Sequence, residues 1–130
     1  MMITPDTAPK IAMAWKPQSG WVRAVIDVET FDPLAKKYGA YYIGRGEERH
    51  PGSREYLTNA LSVENAHRAY APTMILCFND GGLFNIGLLD GKHRYAVLRD
   101  MGAKRMVVGM DWKSRELAEK FGLLAKDQTD

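Results

Sequence analysis

A chain of 130 residues is the length of one domain and long enough to bury a continuous core. Its 18 basic and 16 acidic residues leave a net charge of +2, which excludes attachment to nucleic acid by bulk charge but not a local basic patch. The single cysteine, Cys77, excludes a disulfide framework and suits a reducing compartment. No apolar run approaches the roughly 20 residues of a membrane span, and no charged segment followed by an apolar one opens the chain. A cytoplasmic protein without membrane attachment is expected.

Residues 1–20 carry Pro5, Pro9, Pro17 and Gly20 with little periodicity, so they read as an extended N-terminal arm. WVRAVID (Trp21–Asp27) alternates and is β-branched, a first strand. In FDPLAKKYGA, Asp32-Pro33 reads as the opening of a short helix that ends near Gly39. Tyr41–Tyr56 begins like a strand and becomes a charged, glycine-containing loop. Ser53 then reads as the N-cap of a helix to about Ala69, which Pro72 stops. TMILCF (Thr73–Phe78) reads as a buried strand, with Cys77 as a small hydrophobe inside it. Asn79-Asp80-Gly81-Gly82 is a turn, and LFNIGLL (Leu83–Leu89) completes a hairpin. Asp90-Gly91 breaks that strand. Tyr95–Met101 reads as helix with Gly102 after it, and Lys104–Met110 as a strand. Ser114 reads as the cap of a last helix, RELAEKFGLL, before a polar tail at 126–130. One domain over 21–125 follows, a small α+β fold: a mixed sheet with a β-hairpin and three or four helices.

The stretch Asp90-Gly91-Lys92-His93-Arg94 stands where the second hairpin strand gives way to a helix. A helix N-terminus presents unpaired N–H groups and about half a positive charge, which suits phosphate. Gly91 allows close approach, while Lys92, His93 and Arg94 add donors, Arg94 in bidentate fashion. Asp90 reads as a cap, as a partner orienting His93, or as a ligand to a metal that accompanies a nucleotide. Cations in a first helical turn oppose the dipole, and a bound anion would offset that. The plainer reading of the same residues is a turn, a cap and a solvated first turn.

The stretch from Pro72 to Met110 resembles the ParB/sulfiredoxin superfamily. The resemblance rests on TMILCF, NDGG, LFNIGLL, Gly91-Lys92-His93-Arg94, Ala96, Gly102 and MVVGM in that order, with WVRAVID as a candidate opening strand. It implies that the Gly-x-His-Arg turn contacts nucleotide phosphates through Gly91, His93 and Arg94. The nucleotide would be ATP or ADP, as in sulfiredoxins and free-serine kinases, or CTP, as in the chromosome-partitioning proteins; some members are described as nucleases. Two departures narrow the choice. Sulfiredoxins need a cysteine where this chain has Lys92, so sulfinic acid reduction is not expected. Partitioning proteins carry a helix-turn-helix domain after this module, and the sequence continues only about 20 residues past the last strand, so sequence-specific partitioning is not expected either.

A catalytic module would need a carboxylate as base or metal ligand. Glu47 and Glu48, in a glycine-flanked loop, are the candidates, with Asp90 as the metal ligand; the competing reading is a solvated loop. Arg45, Arg49, His50 and Arg54 could form a basic rim around the phosphate or be ordinary surface charge. Asp27 and Asp32 read as turn and cap residues, and the three histidines lack zinc-ligand spacing. Two functions follow. One is a nucleotide- or phosphate-binding domain that, with Mg²⁺, catalyses phosphoryl transfer or phosphodiester or nucleotide hydrolysis. The other is a non-catalytic module that binds DNA or a protein partner through the same basic turn. A domain that keeps the fold without the ligand is a third.

Overall fold

The computed structural model describes residues 3–39, 42–46 and 70–129. The described elements are α1 (Ala8–Ala14), β1 (Val22–Asp27), α2 (Val28–Tyr38), β2 (Thr73–Phe78), β3 (Phe84–Asp90), α3 (Lys92–Asp100), β4 (Arg105–Met110) and α4 (Trp112–Lys120). The strands form one sheet in the order β1-β4-β2-β3. β1 runs antiparallel to β4, β4 parallel to β2, and β2 antiparallel to β3. This is the small α+β domain with a mixed sheet and a hairpin that the sequence predicts. No described helix is long and apolar enough to cross a membrane. The expected helix at 53–69 lies outside the described residues.

β1 and β4 are buried on both faces: Ala24, Val25 and Ile26 are buried in succession, as are Met106 to Met110. Such strands read as continuous apolar runs rather than alternating ones. The hairpin turn forms because Asn79 Oδ1 accepts from the N–H groups of Gly81 and Leu83, both at 3.0 Å. The register shifts at the far end of the hairpin, where Thr73 lies opposite Asp90 while Met74 lies opposite Leu88.

The first 20 residues, described from residue 3 onward, do not form the expected extended arm. Ala8–Ala14 is a helix packed on β4, with Ala8, Ile11, Ala12 and Trp15 buried at helical spacing. Pro9 stands in its first turn, where a missing N–H costs no intrahelical bond. The second helix also starts earlier than Asp32. Asp27 caps it, its carboxylate accepting from Glu29 N at 3.1 Å, and Pro33 lies inside it. Val28, Phe31, Asp32 and Ala35 form its buried face, which outweighs the breaking tendency of Pro33.

Ser114 does not cap the last helix. Asp111 does, accepting from Ser114 N at 2.7 Å. β4 ends at Met110, so the middle of β2 has no strand on that side. Ser114 takes its place: Oγ accepts from Leu76 N at 2.8 Å and donates to Leu76 O at 3.2 Å, fully buried.

The C-terminal segment, with its polar tail, is fastened to β1. Leu124 bridges Ile26, and Ala125 N donates to Val25 O at 2.9 Å. The Gln128 amide then bonds both backbone groups of Val25, accepting from N at 2.8 Å and donating to O at 2.9 Å.

Candidate functional site

α3 begins at the end of β3, and Gly91 is the hinge between them. Its φ of 83° is left-handed, where a side chain is strained. Space excludes one as well: a Cβ on Gly91 would lie 2.9 Å from both Pro72 Cα and Arg94 Nη2. As N-cap, Gly91 supplies no side-chain hydrogen bond to the helix start, and no acid stands in the first turn. Three residues with cationic capacity, Lys92, His93 and Arg94, therefore open α3 over a bare glycine. Lys92 and His93 are half-buried and already engaged within the protein.

Arg94 folds back across Gly91 toward Asp90, Nη2 donating to Oδ2 at 3.4 Å. That is well beyond the 2.7–2.9 Å typical of a strong charge-assisted bond. Its Nε is buried and has no hydrogen-bond partner among the described residues. Asp90 is not the cap of α3. Its Oδ2 also accepts from Gln18 Nε2 at 3.1 Å, so the segment after α1 reaches the turn as well.

The other predicted residues do not all converge here. Glu47, Glu48, Arg49, His50 and Arg54 lie outside the described residues. Arg45 is exposed beside Gly46, whose N–H donates to Asp100 Oδ2 at 2.9 Å. Asp100 is the last residue of α3, about 12 Å along the axis from Lys92 at 1.5 Å per residue. The backbone at Arg45 is thus fastened to the opposite end of the helix from the turn. Among the described residues, no three His, Cys, Asp or Glu side chains are grouped to hold a metal ion.

Sequence reasoning missed a buried polar cluster between α2 and the later part of α3. Asp32 accepts from Tyr42 at 2.6 Å, from Tyr95 at 2.7 Å and from Arg99 Nη1 at 3.2 Å. Arg99, 1% exposed, also donates to Ile43 O at 2.6 Å and through Nε to Asp100 Oδ1 at 2.9 Å. Its Nη2 lies equally near that carboxylate oxygen but is not aligned to bond it. Burial, with the hydrogen bond to Asp32, pushes the Tyr42 hydroxyl up to about 12 and Tyr95 further still. Burial works against the charge on Arg99, but the Asp100 and Asp32 carboxylates outweigh it and hold the guanidinium above its ordinary value. One signal was legible: Tyr95 and Arg99 are i and i+4 on one helix, and Asp32 falls on the apolar stripe of α2.

The fold and turn together define a small α+β domain with a glycine-hinged, cationic helix start at one end of its sheet. Comparison of the chain with family models, with curated proteins and with solved structures gave no match.

Proposed function

We propose that this protein binds a phosphate-bearing ligand, a nucleotide in the first instance, at the Gly91–Arg94 turn. The observation that carries the reading is the pairing of Gly91, which admits no side chain, with a guanidinium folded over it that is only loosely held by Asp90. A phosphate oxygen at the helix start would meet backbone N–H groups, the helix dipole and Arg94 together. Lys92 would add positive charge beside it and His93 a further side-chain donor. The likeness of Pro72–Met110 to the ParB/sulfiredoxin pattern supports the same reading, because the hairpin, the Gly-x-His-Arg turn and the following strand occur in that order.

The donor set fits a phosphate anion directly. Mg²⁺ would be held by Asp90 together with the phosphate oxygens, as suits an ion that takes one or two carboxylates and completes its shell with ligand and water. When bound, it would neutralise charge on the transferring group. Asp90 would then trade Arg94 for the metal, and Arg94 would turn to the phosphate. Phosphoryl transfer or hydrolysis requires a base as well, for which Glu47 and Glu48 remain the candidates.

The rival function, metal-free binding of a nucleic-acid backbone, has one observation in its favour: Asp90 already accepts from Gln18 and Arg94. A thermal-shift series with ATP, ADP, CTP and short DNA, each with and without Mg²⁺, separates the two. A Mg²⁺-dependent shift with a nucleotide supports the first reading. A shift with DNA alone, steeply reduced by salt, supports the second. Loss of either shift in Arg94→Ala places it at the turn, and an unchanged shift in that variant removes the turn from the account.

A further inference from the structure

We infer that Thr73 belongs to the phosphate site: its hydroxyl donates to the bound phosphate once Arg94 turns from Asp90 onto the ligand. The inference rests on the reading of the Gly91–Arg94 turn as a phosphate site and adds a residue that no motif marks.

Thr73 opens β2 and is 3% exposed, yet its Oγ1 has no hydrogen-bond partner among the described residues. A buried hydroxyl without a partner is costly, and valine would fill the same volume without that cost. Strand register brings Thr73 to the turn. Thr73 pairs with Asp90 across the irregular end of the hairpin, and Asp90 directly precedes Gly91. Pro72, the preceding residue, abuts the turn: Gly91 could not carry a Cβ without meeting Pro72 Cα at 2.9 Å. Thr73 Oγ1 and Arg94 Nε are therefore two buried polar atoms without partners among the described residues, on the residue that pairs with Asp90 and on the third residue of α3.

Both can act as donors, and phosphate is the acceptor that uses an O–H and a guanidinium N–H together. The link from Arg94 to Asp90, at 3.4 Å, is weak enough to exchange. The ligand class is a phosphate monoester or pyrophosphate group, since a dense cluster of anionic oxygens is needed to reach Thr73, Arg94 and the helix start at once.

The test is calorimetric titration of the whole chain with sodium pyrophosphate, without Mg²⁺ and at low ionic strength. Wild type is compared with Thr73→Val and Thr73→Ser, and the Tm of each is recorded. Thr73→Val should weaken binding roughly tenfold, the size of one hydrogen bond to a charged group, with a Tm no lower than wild type. Thr73→Ser should bind within about twofold of wild type because it keeps the hydroxyl. Thr73→Ala gives the same comparison if valine fails to fold. Wild-type affinity in a folded Thr73→Val overturns the assignment of Thr73 and leaves the turn as a phosphate site. Absence of pyrophosphate binding in wild type overturns the turn itself, and the role of Thr73 with it.

Discussion

Arg99 reaches Asp32 across 67 residues of chain, and the pair is enclosed by two tyrosines whose rings lie 5.4 Å (Tyr42) and 5.7 Å (Tyr95) from the guanidinium carbon. The contact ties α3 to α2 and, through Ile43 O, to the segment at 42–46. It therefore holds the helix that presents Lys92, His93 and Arg94. Asp32→Asn removes one of the two carboxylates that compensate a buried guanidinium, so it should destabilise by about 3 kcal/mol. Tyr95→Phe, which deletes one hydrogen bond to that carboxylate, should cost about 1–2 kcal/mol. Urea unfolding checks both, and a loss below about 0.5 kcal/mol for Asp32→Asn would make the cluster incidental to stability.

The same cluster predicts sensitivity to alkali. The Tyr42 hydroxyl is pushed up to about 12 in the folded chain by burial and by its bond to Asp32, against an ordinary value of 10.0. Between those values the unfolded chain loses this proton while the folded one keeps it, so stability falls as pH rises. The stabilisation is fully present below pH 10 and is lost by about pH 12. The urea midpoint of wild type should drop more steeply over that window than that of Tyr42→Phe. Parallel curves would remove Tyr42 from the account.

Ser114 gives a sharper stability test because a single hydroxyl serves both backbone groups of Leu76. Ser114→Ala leaves a buried N–H and a buried C=O without partners and should cost about 2–3 kcal/mol. Asp111→Asn, at the true cap of the same helix, keeps a capping side chain and should cost a few tenths. Equal losses in the two variants would contradict this division of roles.

Gly91 and Gly102 separate crowding from backbone strain. Both have left-handed φ, 83° and 95°, but nothing lies within 4 Å of a Cβ at Gly102. Gly102→Ala should therefore cost about 1 kcal/mol from conformation alone. Gly91→Ala adds a clash with the Pro72 backbone and with Arg94, and should cost about 1–3 kcal/mol more and impair ligand binding. Equal thermal shifts and intact binding would show that the turn yields easily.

Asp90 distinguishes metal-assisted from metal-free binding. Asp90→Asn releases Arg94, so pyrophosphate affinity without Mg²⁺ should rise severalfold while any gain from Mg²⁺ disappears. Weaker binding without Mg²⁺ would mean that the carboxylate positions Arg94 rather than competing for it.

Much of the sheet was legible because its signals are local. TMILCF is β2 residue for residue, and the Asn-Asp-Gly-Gly turn sets the hairpin. Helix starts were harder. Pro9 reads as part of an arm and Pro33 as a helix opening, yet Pro9 stands in a first turn and Pro33 lies inside a helix whose buried face only tertiary packing reveals. Ser114 has the chemistry of a cap, and nothing local says that β4 stops short and leaves Leu76 to be satisfied. The glycine and cations of the candidate site were visible as a motif. Thr73 and Arg99 were not, because their significance depends on pairings 17 and 67 residues away.

Gln128 has a consequence for how the molecule meets its own kind. Strand edges with unpaired backbone groups invite intermolecular sheet growth. On β1 a side-chain amide imitates the next strand for one residue, occupying both groups of Val25. A chain cut before Leu124 would present β1 as a bare template, and its solubility rather than its ligand affinity would be the first property to suffer.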